Sequence, residues 1–177
     1  MKKNIATILI FLFVFWIGKI YNINQTRKVV TFYDIGDTAD CGDLDLYFVE
    51  SHLDEQDDFN KRFGIDYSVT GEHKMISVCI EVTNKSKGNI EWAEVIDFLE
   101  CGFESQVWAS AIDTTVSPMI NIFNTDCLKP GMSQKIWFAA EVNKACFRNE
   151  SWKHIDEYQY LYVLSLTPHK AAVRLKV

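Results

Sequence analysis

Glycine and proline are scarce in this chain of 177 residues, at 8 and 3. No Gly-x-Gly occurs, so neither a dinucleotide-binding fingerprint nor a phosphate-cradling loop is present. Gly-x-Ser-x-Gly is missing, which removes the strained serine elbow, and so is His-Glu-x-x-His, which removes the helical zinc-hydrolase pair. The five cysteines (41, 79, 101, 127 and 146) form no Cys-x-x-Cys pair and no Cys/His spacing of a zinc site. From residue 34 onward 24 acids face 13 bases. A body so acidic repels phosphate backbones, whose affinity for proteins rests on Lys and Arg, so DNA and RNA are excluded as partners. No residue is marked as catalytic, cofactor-binding or metal-ligating, no cofactor is implied, and the expectation is a protein that is not an enzyme. The four histidines (52, 73, 154 and 169) stand apart from one another.

What is abundant is apolar and aromatic. Hydrophobic residues make up 48% and aromatics 14% of the chain, enough for one packed domain. Ile5 to Gly18 is apolar throughout except for Thr7, and with Lys19 snorkelling the run continues to Tyr21. As a helix those residues reach roughly 25 Å, close to a hydrocarbon layer of about 30 Å. Trp16 and Tyr21 suit the interfacial belt at one end. No Ala-x-Ala-like site follows the run, as a cleaved signal peptide requires. A lipoprotein signal needs a cysteine directly after it, and the first is Cys41. A buried core helix would show a polar side, and bulky residues face every direction. The reading is an uncleaved signal anchor over 1–21, a polar stalk over 22–28 and a folded domain over 29–177. Lys2 and Lys3 before the run are nearly balanced by Lys19, Arg27 and Lys28 after it, so charge alone leaves the orientation open.

The body alternates with period two, the pattern of half-buried strands. In Met75 to Thr83, Ile76, Val78, Ile80 and Val82 share one face, and Ser77, Cys79, Glu81 and Thr83 the other. Asn84 to Asn89 then supplies a turn. Further strands are expected over Val29 to Tyr33, Leu44 to Val49, Phe98 to Phe103, Gln106 to Ile112, Gln134 to Val142, Gln159 to Leu166 and Ala172 to Val177. About eight short strands separated by turn residues define an all-β sandwich or barrel. Two helical segments are expected, His52 to Phe63 and a turn or two within Lys144 to Tyr158.

Four segments resemble a known family. They are Tyr33-Asp34-Ile35-Gly36-Asp37, Gly42-Asp43-Leu44-Asp45-Leu46, the strand Lys74 to Asn84, and the turn Leu128-Lys129-Pro130-Gly131-Met132-Ser133 with the strand Ile136 to Val142. In order and spacing they resemble an immunoglobulin-like domain family of unknown function. It is found in small secreted, lipid-anchored or membrane-anchored proteins of Gram-positive bacteria, and is sometimes mislabelled as telomeric-repeat-binding-factor-like. The resemblance runs from about residue 29 to the end. It implies an immunoglobulin-like antiparallel β-sandwich behind one transmembrane helix, placed outside the cell membrane. The chain departs from the family in its cysteine content and in having no lipid-attachment cysteine.

One feature of the body invites a sharper reading. Asp34, Asp37, Asp40, Asp43, Asp45, Glu50, Asp54, Glu55, Asp57 and Asp58 follow one another closely, and clustered carboxylates chelate calcium. The order of ligands is not that of an EF-hand, and the competing reading is a set of solvated turn and edge residues that discourage strand-to-strand association. Trp92, Trp108, Trp137 and Trp152 fit a core or inter-sheet role better than sugar stacking. The functional expectation is a non-enzymatic, single-pass, extracytoplasmic module that contacts proteins or the cell envelope. A calcium-dependent adhesion or sensing module and a hydrolase with a loop-assembled site are its alternatives.

Overall fold

The computed structural model describes residues 30–99, 101–166 and 170–177. The expected signal anchor, the stalk and Val29 lie outside the described residues. Among the described residues no helix is long and apolar enough to cross a membrane.

Eleven strands are present among them: β1 Val30–Asp34, β2 Thr38–Asp40, β3 Leu44–Asp54, β4 His73–Asn84, β5 Ile90–Glu91, β6 Phe103–Glu104, β7 Ala109–Ser110, β8 Cys127–Leu128, β9 Ser133–Asn143, β10 Leu161–Ser165 and β11 Lys170–Arg174. Four short helices interrupt them: α1 Gln56–Phe63, α2 Trp92–Leu99, α3 Ser117–Ile120 and α4 Asn149–Trp152. One sheet has the order β2-β3-β4-β9 and the other β1-β11-β10-β6-β7, with β5 and β8 as a separate ribbon. All pairings are antiparallel except β1 with β11.

The two large sheets close on one core. Leu46, Phe48, Ile76, Val78, Ile80, Val82, Ile136, Phe138 and Ala140 meet Tyr160, Tyr162, Leu164, Val173 and Leu175 there. Burying each aliphatic side chain contributes roughly 1.5–3 kcal/mol. The two tyrosines are fully buried yet satisfied, since Tyr160 donates to the Ile155 carbonyl at 2.9 Å and Tyr162 to that of Leu99.

The central strand β4 departs from the half-exposed pattern its alternation predicts. Ser77 and Cys79, expected on an open face, are fully buried. The cause is a second, smaller cluster on the outer side of the sheet, where α1 and the segment leading into α3 bring Phe59 and Val116 onto Met75 and Ala139. α1 ends at Gly64, whose positive φ of 65° lets its amide return to the Asn60 carbonyl.

Other local readings change as well. β3 runs on past Val49 to Asp54, with a register shift between Phe48 and Glu50. The bulge moves the inward phase from Leu44, Leu46 and Phe48 to Ser51 and Leu53, so residues 52–54 are strand and the helix begins at Gln56. Over 98–103, α2 occupies the first part and β6 keeps only Phe103–Glu104. Of Gln106 to Ile112 only Ala109–Ser110 pairs, and the last strand spans Lys170–Arg174. Residues 144–158 form two 3-10 turns around α4, as expected of a turn or two.

Candidate functional site: the open face of the five-stranded sheet

The two outer faces of the sandwich differ. α1 and α3 pack over part of the four-stranded sheet. Among the described elements no helix packs extensively on the five-stranded sheet. Since Tyr33, Ala171, Val173, Tyr162 and Phe103 turn toward the core, the alternation of a strand sends Val30, Phe32, Lys170, Ala172, Arg174, Leu161, Val163 and Glu104 outward. Ala172 and Val163, in the middle of this face, are buried.

Ion pairs cross this face. Arg174 reaches Asp34 at 3.2 Å and places its guanidinium carbon 4.8 Å from the centre of the Phe32 ring. Lys170 pairs with Glu104 across β10. Beyond them lies a hollow of about 300 Å³ lined by Cys101, Gly102, Glu104, Ala109, Val163 and Leu166. Its shape depends on Gly102, whose φ is 117° and where a Cβ would stand 2.4 Å from the Ser110 carbonyl oxygen. A second hollow of about 370 Å³ is lined by Val107, Cys146, Phe147, Arg148 and Ser151.

The acidic stretch is dispersed. Asp34 pairs with Arg174, Glu50 with His52, Asp54 with Arg62 and Glu55 with Lys74. Asp40 and Asp45 share Lys85, whose Nζ stands 2.7 and 2.8 Å from their oxygens. An ammonium therefore occupies the position where a cation would bridge those two carboxylates. Its hydrogen bond, followed by that of the Gly42 amide, holds the Asp40 carboxyl below the usual aspartate range. Asp57 and Asp58 lie in the first turn of α1, where negative charge complements the helix dipole. Among the described residues no group of three or more His, Cys, Asp or Glu is placed to hold a metal ion.

Ser77 and His52, neighbours among the described residues, are not joined as nucleophile and base. Ser77 stands opposite His52 in the β3–β4 register, but its hydroxyl is buried and without a hydrogen-bond partner, while His52 turns to Glu50 at 3.1 Å. The thiols are all free. Burial pushes that of Cys79 up to about 12, the opposite of an activated nucleophile. Trp92 stacks on Phe123 at 4.5 Å and donates to the Thr125 carbonyl, and Trp108 packs edge-on to Tyr160. Trp152 donates to Glu72 at 2.6 Å. Trp137 lies on the outer side of β9 between His52 and Phe63 of α1, half-buried.

None of the open-face residues stands out by motif. Their signal is the apolar content of the outward positions in β1 and β10, which becomes readable only once inward and outward are known.

No known family profile matches the chain, and no curated protein does. Solved structures do. The chain is similar to an uncharacterised β-sandwich protein from Clostridium difficile, with 10% identity and a TM-score of 0.52 over 84% of this chain and 97% of that one. It is also similar to a conserved hypothetical protein from Bacillus anthracis, with 17% identity and a TM-score of 0.52 over 81% of this chain and 95% of that one. At such identities the likeness shows the fold, a β-sandwich, and nothing of the function.

Proposed function

We propose that the chain is a membrane-tethered, extracytoplasmic module of immunoglobulin-like type that works by contact with protein or cell-envelope partners and carries out no catalysis. The observation that carries this reading is the outer side of the five-stranded sheet, where Val30, Phe32 and Leu166 stay exposed beside the Arg174–Asp34 and Lys170–Glu104 ion pairs. Two filled sheets whose first strand pairs with the last, followed by β2 in the opposite sheet, support the immunoglobulin-like assignment. The tether rests on the uninterrupted apolar run from Ile5 and on the want of a cleavage site after it. The outward placement rests on the family resemblance, and the Gram-positive origin of the two similar sandwiches accords with it.

Protease shaving of intact cells tests the placement. The domain is expected to be digested while the membrane is closed. Digestion only after the membrane is opened would reverse the orientation, and recovery of the full chain from the medium without detergent would remove the tether.

A further inference from the structure

Exposed apolar side chains gather where the chain enters the fold. β1 opens on Val30, which pairs with Lys170, and Val30 and Phe32 are 39% and 44% exposed. Leu166, 65% exposed, leaves the end of β10 on the approach to that same lysine. Phe98, 47% exposed, lies in the last turn of α2. The Cys101 thiol just beyond α2 donates to the Leu164 carbonyl at 3.2 Å, and the Val163 amide donates to the Gly102 carbonyl at 2.9 Å, so this helix end flanks the same end of β10. A single exposed hydrophobic residue means little. Three at one end of one sheet, with Phe98 on the helix end that flanks it and an apolar hollow beside them, form a patch.

We propose that this end of the sandwich rests on the surface of a lipid bilayer, with Val30, Phe32, Phe98 and Leu166 entering the headgroup layer. The inference rests on the membrane-tether reading above. Chain length argues for lipid as the occupant. The apolar run closes at Tyr21, and the eight residues from Asn22 to Val29 reach about 28 Å even if fully extended. The start of β1 is thereby confined to the neighbourhood of the bilayer. Charge argues the same way. Residues 1–33 carry Lys19, Arg27 and Lys28 near the junction and no acid at all, which suits anionic headgroups. Glu104, the carboxylate at the hollow that would repel anionic headgroups, is paired with Lys170.

The test uses the full chain reconstituted in phosphatidylethanolamine–phosphatidylglycerol vesicles that carry a diazirine lipid reactive at the headgroup level, with adducts mapped by mass spectrometry. Adducts are expected within Ile5 to Tyr21 and also at Val30, Phe32, Phe98 and Leu166. In the F32S/L166S variant, whose folding is checked by its melting curve, adducts at Val30 and Phe98 should fall about tenfold, the equivalent of one buried side chain. Adducts confined to the apolar run would overturn the inference and leave the tether standing. Adducts in neither region would remove the tether itself. A photoreactive phenylalanine placed at position 32 of the reconstituted chain should likewise give lipid adducts, and cross-links from it to a second copy, or to the chain's own first 29 residues, would overturn the bilayer as occupant.

Discussion

At Ser77 the expected effect of mutation runs against the usual direction. Its hydroxyl is fully buried with no hydrogen-bond partner, and a desolvated, unpaired hydroxyl costs about 1–3 kcal/mol. Ser77→Ala should therefore leave stability unchanged or raise it by up to about 1 kcal/mol, read as the urea midpoint. A clear loss would mean that the hydroxyl is satisfied. Asn84 is the opposite case. Its amide donates to the Gly88 and Leu128 carbonyls at 2.8 and 2.7 Å and its oxygen accepts the Ser86 amide at 2.8 Å, which ties β4 to the turn after it and to β8. Asn84→Ala removes all three hydrogen bonds at a fully buried position, an expected loss of about 2–3 kcal/mol. Gly102→Ala places a Cβ against the Ser110 carbonyl at positive φ, with an expected loss of about 2–3 kcal/mol. Gly88→Ala, with open space around it, is the control that should change little.

Between elements, the hinge of the outer cluster is the pair Tyr67–Asp113. The Tyr67 hydroxyl donates to Asp113 Oδ2 at 2.6 Å, while the Thr115 and Val116 amides reach Oδ1 at 2.8 and 3.2 Å. Burial alone raises the Asp113 carboxyl, but these hydrogen bonds outweigh it and hold the group below the ordinary 3.8. A depressed carboxyl stabilises the fold above the range of an unfolded aspartate, and that contribution is lost as pH falls through the lower folded value. The gap in melting temperature between the native chain and Asp113→Asn should thus be present at neutral pH and shrink below about pH 4. A gap constant across that range would contradict this role. Element by element, β4 and β9 were legible because Val, Ile and Phe alternate through them without a break. β3 was legible only to Val49, because a one-residue bulge and a strand end look alike when the phase of alternation slips. α2 was hidden because Trp92, Val95 and Leu99 fall at helical spacing inside a stretch whose aromatic and β-branched residues suit a strand equally well. The burial of Ser77 and Cys79 was beyond local pattern, since it comes from α1 folding back over a sheet to which it is joined by only Glu55.

For the molecule as a whole, the period-two runs led to an all-β sandwich or barrel and the family resemblance to a sandwich, which the similar solved structure from Clostridium difficile shares. The open face was not legible. Val30 and Phe32 read as ordinary strand residues until the parallel pairing with β11 showed that they point away from the core. The acidic stretch looked like one cluster in sequence because its members are near neighbours there, while the fold pairs half of them with Lys85, Arg62, Lys74 and Arg174. Calcium titration of the chelated protein should accordingly give neither heat nor a melting shift at millimolar calcium, and a shift would reopen the adhesion reading. The most direct test of a tethered module facing outward uses the thiols that the fold leaves exposed, Cys101 and Cys146. Intact cells, treated with an impermeant reductant and then an impermeant maleimide, should yield labelled chain that sediments with the membranes. Labelling only after lysis, or labelled chain in the soluble fraction, would contradict the account.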